Sequence, residues 1–344
     1  MATAPSPALD RLELLVVVDN ETDTLSSIDP GVPQLPEIAS LMGRLAPSGE
    51  HEGHPTICVF DHLCVACHGL SVLVTGYRGD GARTILFDVG PYPDVWLANA
   101  ERLNIDLSSI ELLFLSHWHA DHSAGFPEIV GAIAAARSSV GLPAPAVDLH
   151  PNRPDQRGVQ LPSGSMACLP DEPTFEAIEA AGGVVHRNAE VHPVADLFVG
   201  SGLIDRVTDY ETGLAGHHTR TANTWVPDPL ILDERFLAAR VRGRGVSVLS
   251  ACSHAGIVNA CLGAKALFPG EPVDTVLGGY HLAGGLMEAR IEETVRDLTE
   301  RVQPRIVAPG HCTGWRAKAA LANAFDPGRY GPSVVGSRYN LTAE

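Results

Sequence analysis

The chain has 344 residues, enough for one large domain with a sizeable core. Apolar residues make up 45% and charged residues 19%, the ordinary balance of a globular protein. Against 41 Asp+Glu stand 24 Lys+Arg, a formal net charge of −17 that repels phosphate backbones and argues against nucleic acid as a partner.

Met1 to Asp10 lacks a basic stretch, and the run Leu12-Glu13-Leu14-Leu15-Val16-Val17-Val18 is too short for an export signal and ends at Asp19. No window approaches membrane-spanning length, so a cytoplasmic protein without a membrane partner is expected. That first apolar run reads as a strand, 12–18. A helix is expected at 34–45. Cys64-Val65-Ala66-Cys67-His68 matches a haem-attachment pattern, but such attachment needs export, and a zinc site would need a second ligand pair at similar spacing. The match is read as coincidence. The 7 cysteines are odd in number and irregularly spaced, as reduced thiols are. Strands 71–77 and 83–87 flank the turn Gly79-Asp80-Gly81. A helix at 93–103 and a strand at 112–115 follow. The helix at 126–137 carries Pro127 early, where a missing N–H costs little. Residues 138–172 are rich in Pro, Gly and Ser and read as a long loop around a short strand, 146–149. Next come a helix at 173–181, a strand at 184–187 and a second polar loop, 205–229, holding His217, His218, Arg220 and Trp225. Strands are expected at 236–241, 246–251, 273–277 and 305–308, and helices at 256–267, 288–302 and 315–325. The clearest helix is 288–302, where Ile291, Val295, Leu298 and Val302 recur at helical spacing. Strands and helices mixed over one span make a layered α/β sandwich, a single domain over 1–344 with insertions near 138–172 and 205–229. Long loops of this kind often cover binding sites.

After the run Leu112-Leu113-Phe114-Leu115 comes His117-Trp118-His119-Ala120-Asp121-His122. Three imidazoles and a carboxylate within six positions suit Zn²⁺, Fe or Mn, and a polar loop of solvated histidines does not account for that density. Four donors in so short a segment exceed what one ion usually takes, so two adjacent divalent ions are expected, zinc first among them. His117 and His119 alternate and can face one ion. Asp121 and His122 open the next helix and can face the other.

An α/β sheet gathers its strand ends around one site, so further donors are sought there. Three more histidines follow apolar runs: His254 in Ala251-Cys252-Ser253-His254-Ala255-Gly256, His281 in Gly278-Gly279-Tyr280-His281, and His311 in Pro309-Gly310-His311-Cys312. His254 and His311 are expected as ligands. His281 is expected as a hydrogen-bond donor or general acid, with Tyr280 or His281 stabilising an oxyanion. Asp88 is expected to orient a ligand histidine.

Ser116-His117-Trp118-His119-Ala120-Asp121-His122-Ser123-Ala124-Gly125, with Phe87-Asp88-Val89-Gly90 before it, resembles the hallmark of the metallo-β-lactamase fold superfamily. Asp19-Asn20-Glu21-Thr22, His68-Gly69-Leu70-Ser71, the stretch Cys252 to Asn259, Gly278 to Leu282 and Gly310 to Gly314 resemble one subgroup. It is related to the dihydropterin ribofuranosylaminobenzene phosphate synthase of methanopterin biosynthesis. The resemblance implies an αββα sandwich with the metal site at one sheet edge and His117, His119, Asp121, His122 and His311 as ligands. The chain departs from it twice. Ala251-Cys252 stands where many members have Gly-Asp, so the bridging carboxylate is missing; either His254 replaces it or Cys252 ligates as thiolate. Cys67 stands where the subgroup commonly has Glu.

The expected function is therefore metal-dependent hydrolysis of a small ester, lactone or phosphoester, with Asp121 orienting the attacking water. The alternative is a pterin-related synthase or transferase on a phosphate-bearing substrate, with Arg153, Arg157 and Arg220 as phosphate clamps. Di-iron redox chemistry and metal binding without catalysis are the remaining readings. The partner is a small molecule, and homo-oligomerisation is compatible with the sequence.

Overall fold

Runs of Val, Leu and Ile bounded by Gly, Pro or Asp become the strands, because branched side chains pack well on a pleated, buried surface. The computed structural model describes residues 6–27, 42–43 and 45–344. It contains β1 (Arg11–Val18), an exposed hairpin of β2 (Gly49–His51) and β3 (His54–Thr56), β4 (Ser71–Arg78), β5 (Gly81–Phe87), β6 (Ile110–Phe114) and β7 (Ala146–Leu149). Then come β8 (Gln156–Gln160), β9 (Met166–Asp171), β10 (Val184–Arg187), β11 (His192–Val194), β12 (Phe198–Gly200), β13 (His217–Thr221) and β14 (Thr224–Pro227). The chain closes with β15 (Leu237–Val241), β16 (Gly245–Ser250), β17 (Val273–Gly279), β18 (Ile306–Gly310) and β19 (Arg338–Thr342).

A seven-stranded sheet, β10-β7-β6-β5-β4-β1-β19, lies against a six-stranded sheet, β11-β12-β15-β16-β17-β18. Leu14, Val72, Phe87 and Phe114 of the first pack with Leu237, Leu249 and Leu277 of the second, all fully or nearly fully buried. Each such side chain contributes roughly 1.5–3 kcal/mol. Helices Pro93–Arg102 and Phe126–Ser139 cover the outer face of the first sheet through Trp96, Phe126, Ile129 and Ile133. Helices Ile257–Leu267 and Trp315–Ala324 cover the second through Val258, Cys261, Ala317 and Leu321. The result is the four-layer αββα sandwich.

Each expected strand is present with ends shifted by one or two residues. The helix expected at 34–45 lies almost wholly outside the described residues. The one expected at 288–302 is Ile291–Asp297 continued by a π-helical turn, Leu298–Val302, which Gln303 ends at φ 56°. No helix among the described residues is long and apolar enough to cross a membrane.

The two expected loops are corrected. Residues 138–172 and 205–229 hold β8, β9, β13 and β14, which pair as a four-stranded sheet in the order β14-β13-β8-β9. His217 pairs with Val159 and Thr219 with Arg157, so the two insertions are one substructure. Polar β8 and β13 and the short, mostly exposed β9 and β14 show no sustained apolar alternation.

β5 and β6 run parallel, as do β16, β17 and β18, with Ser250 opposite Gly278 and Gly279 opposite Gly310. Their C-terminal ends, with that of β1, meet at one edge of the sandwich. Gly278 makes this crowding feasible: it sits at φ 131°, and an added Cβ would lie 1.9 Å from the Ser250 carbonyl oxygen.

Candidate metal centre

The segment after β6 delivers four donors to this edge. His117, His119 and His122 are buried, while the Asp121 side chain keeps 16% exposure. His117 Nε2 lies 3.0 Å from His119 Nδ1, and His254 Nε2 lies 3.1 Å from the same His119 nitrogen. A second set forms around Asp121 Oδ2, which is 3.6 Å from His122 Nε2 and 3.3 Å from His311 Nε2. Cys252 joins the two: its Sγ is 3.2 Å from both His122 Nε2 and His311 Nε2. Cys252 also lies within 4.8 Å of the His117 and His254 donor atoms. All six expected ligand residues thus converge, with Cys252 between the sets.

The hydrogen bonds at the back of each ring decide what its front presents. The Ser116 hydroxyl donates to Asp88 Oδ2 at 2.7 Å and so accepts from His117 Nδ1 at 2.9 Å. His122 Nδ1 donates to Asp88 Oδ2 at 2.9 Å, and His311 Nδ1 donates to Asn20 Oδ1 at 3.0 Å. Asp19 Oδ1 accepts the His311 backbone N–H at 2.8 Å. Acceptors behind these rings leave Nε2 for a ligand in front. Glu234 accepts the backbone N–H groups of His254 and Ala255 at 2.7 and 2.6 Å, fixing the turn that presents His254. Burial pushes that carboxyl up to about 7.

The donor set fits small divalent cations. Nitrogens about 2.0–2.1 Å from a common tetrahedral ion stand roughly 3.3 Å apart, close to the separations in the first set. Burial holds His117, His119 and His254 well below the usual imidazole range, so they are neutral and ready to coordinate. Burial also opposes charge on His122, yet Asp121 and Asp88 push it up to about 9. A cation at the second set must displace that proton.

Asp88, Ser253, His281 and His311 all have positive φ, from 45° to 61°, a backbone state uncommon outside glycine. Four such residues at one edge mark strain concentrated where the donors are held. His281 stands beside the first set, its ring 4.4 Å from that of His254, and its buried Nδ1 has no hydrogen-bond partner among the described residues.

Tyr280 requires a correction. Its side chain lies in the core under the second sheet, and its hydroxyl donates to the Val276 carbonyl at 2.8 Å. Beyond the end of β17 the chain turns, with His281 at φ 48°, so His281 faces the centre while Tyr280 stays in the core. The expected arginine clamps are also corrected. Arg220 pairs with Asp171 at 2.7 Å, Arg153 with Asp155 at 3.1 Å, and Arg157 with Asp233 at 2.5 Å.

The sequence places His68 in a subgroup motif and His217 in a polar loop, but assigns neither a role at the site. His68 Nε2 lies 3.4 Å from Asp121 Oδ2, and the side chain is 67% exposed at the mouth of the site. His68 closes the Cys-x-x-Cys-His stretch and opens the subgroup motif His68-Gly69-Leu70-Ser71. His217 Nε2 lies 3.0 Å from His119 Nε2.

Fold and donors together define a two-sheet sandwich with a divalent-metal centre at the sheet edge. The chain belongs to the metallo-beta-lactamase superfamily, whose family model matches residues 64–311. It is 28% identical over 261 residues to the 7,8-dihydropterin-6-methyl-4-(beta-D-ribofuranosyl)-aminobenzene-5'-phosphate synthase of Methanocaldococcus jannaschii, covering 75% of this chain and 85% of that one. It is also 28% identical over 134 residues to the lactamase-like protein vrtG of Penicillium aethiopicum, 39% of this chain and 40% of that protein. Among solved structures, Tm1679, a metal-dependent hydrolase of the beta-lactamase superfamily, superposes with a TM-score of 0.67 at 21% identity, over 96% of this chain and 99% of that one. That likeness establishes the fold.

Proposed function

We propose that this protein is a metal-dependent hydrolase of a small ester, lactone or phosphoester, built on two adjacent divalent cations. The observation that carries the reading is the pair of donor sets meeting at Cys252. His117 Nε2, His119 Nδ1 and His254 Nε2 would hold one cation. Asp121, His122 and His311 would hold the other, with the Cys252 sulfur between them. Zinc suits this mixture of imidazole, carboxylate and thiolate best. Cations held there would supply Lewis acidity, making water nucleophilic near neutral pH and polarising a carbonyl or phosphoryl oxygen. Asp121, the partly exposed member, would orient the attacking water through its carboxylate. His281 would donate a proton from Nδ1 to the leaving oxygen, since that nitrogen is buried beside the first set without a partner. A cytoplasmic enzyme acting on a small molecule remains the setting proposed for this chemistry.

The test is elemental analysis of the purified protein, followed by a panel of lactones, thioesters, phosphomonoesters and phosphodiesters with and without chelator. Bound divalent metal, and turnover that chelation removes and zinc restores, are the expected results. Protein that binds no metal, or turnover indifferent to chelation, would reject the proposal. The similarity to the pterin-related synthase over 75% of the chain supports a second reading, bond formation on a phosphate-bearing substrate. Pterin condensation without hydrolysis of any panel member would establish it. Against it stands the engagement of Arg153, Arg157 and Arg220 with protein carboxylates.

The two sets should also respond differently to pH. The imidazoles of the first are neutral already, so only the thiol proton of Cys252, which both sets share and burial holds in place, opposes a cation there. The second competes with the His122 proton as well, so its affinity should rise with pH about tenfold per unit more steeply than that of the first, until about 9. Cation titrations across that range check this, and parallel curves for both sets would reject it.

A further inference from the structure

His119 is a two-faced ring. Its Nδ1 belongs to the first donor set, while its Nε2 meets His217 Nε2 at 3.0 Å. Behind His217, Nδ1 lies 2.7 Å from the Asp228 backbone carbonyl oxygen. A carbonyl only accepts, so His217 Nδ1 carries a proton. In a neutral ring with its proton on Nδ1, Nε2 holds the lone pair. His119 Nε2 must then be the donor of the shared hydrogen bond, and His119 Nδ1 must be the lone-pair nitrogen. One backbone carbonyl thus sets the tautomers of two rings in sequence.

The chain that does this comes from the insert sheet. His217 opens β13, beside β8. Arg157 of β8 holds Asp233, whose other oxygen accepts the Trp118 backbone N–H at 2.8 Å, inside the metal loop. The Ser123 hydroxyl donates to Glu172, just beyond β9. The insert therefore reaches the 117–123 segment directly at His119 and Ser123 and through Asp233 at Trp118, and of these contacts the one from His217 meets a donor ring.

We propose that His217 is a positioning residue that locks His119 as its Nε2–H tautomer, keeping Nδ1 free for a divalent cation. This rests on the metal-centre reading given under the proposed function. Gln in place of His217 offers an amide oxygen that can accept from His119, whereas Leu offers only bulk. Two measurements on wild type, His217→Gln and His217→Leu test the assignment: Co²⁺ affinity by titration, and the histidine tautomers of metal-free protein by two-bond ¹⁵N–¹H NMR.

The wild type and His217→Gln should show His119 protonated on Nε2 and bind Co²⁺ alike. His217→Leu should lose that single tautomer and bind about 10–100-fold more weakly, the usual cost of losing a partner behind a ligand histidine. Wild-type affinity in His217→Leu, equal weakening of both variants, or an Nδ1–H His119 in the wild type would overturn it. If the wild type bound no cation, the proposed function would fail, yet the tautomer spectrum would still decide the role of His217.

Discussion

His119→Ala protein is expected to retain its fold and lose both first-set metal and turnover. The Nδ1 of this residue lies at the centre of the first set, 3.0 Å from His117 and 3.1 Å from His254. Its backbone carbonyl, which accepts the N–H groups of His122 and Ser123, is untouched by the substitution. The turn that presents Asp121 and His122 should therefore survive, and the second set with it. Two imidazoles and a sulfur shared with the second set hold a cation far less well than three imidazoles with that sulfur. Turnover should fall by more than about 100-fold, the upper end of what losing a mere supporting partner costs. Elemental analysis should show one equivalent of metal less, and circular dichroism should be unchanged. Full activity with intact metal content would end the ligand assignment.

The donors that were legible in the sequence share a physical cause. Those at 117–122 are close in the chain, and their density needs no knowledge of the fold. His254, His281 and His311 were legible because each follows an apolar run that had to be a strand, and parallel strands place their C-terminal ends together. His217 failed both tests. It lies on a polar strand whose partner β8 is about sixty residues away in the chain, and that pairing leaves no local pattern. Glu234 is equally silent: only the fold shows that its carboxylate caps the His254 turn. The Tyr280 error has a different origin. Residue type suggests an oxyanion donor, whereas the fold sends the phenol into the core, where its hydroxyl donates to the Val276 carbonyl. The missing bridging carboxylate was visible in the sequence as Cys252. What was not visible was that His254 and Cys252 both reach the centre, one within a set and the other between the two.

Substitution of Asp88 should separate stability from metal binding. Asp88 is fully buried at the end of β5, with φ at 56°. Its Oδ1 accepts the Ser116 N–H at 2.7 Å, and its Oδ2 accepts the Ser116 hydroxyl at 2.7 Å and His122 Nδ1 at 2.9 Å. Asp88→Ala strips three buried donors of their acceptor, and it places a β-carbon without a compensating side-chain bond at positive φ. Breaking such a buried charged network costs about 3–5 kcal/mol, so the unfolding midpoint in denaturant should fall sharply. Asp88→Asn keeps the volume and one acceptor oxygen, so the stability loss should be smaller. Its amide, however, turns a donor toward His122 Nδ1, which must then accept, leaving the His122 proton on Nε2. That nitrogen can no longer coordinate, so the second cation should be held about 10–100-fold more weakly while the first is kept. Denaturant unfolding of the metal-free proteins and cation titration of the same samples read the two effects independently. An Asp88→Asn protein that holds both cations as tightly as the wild type would show that Asp88 supports the loop without selecting the His122 tautomer.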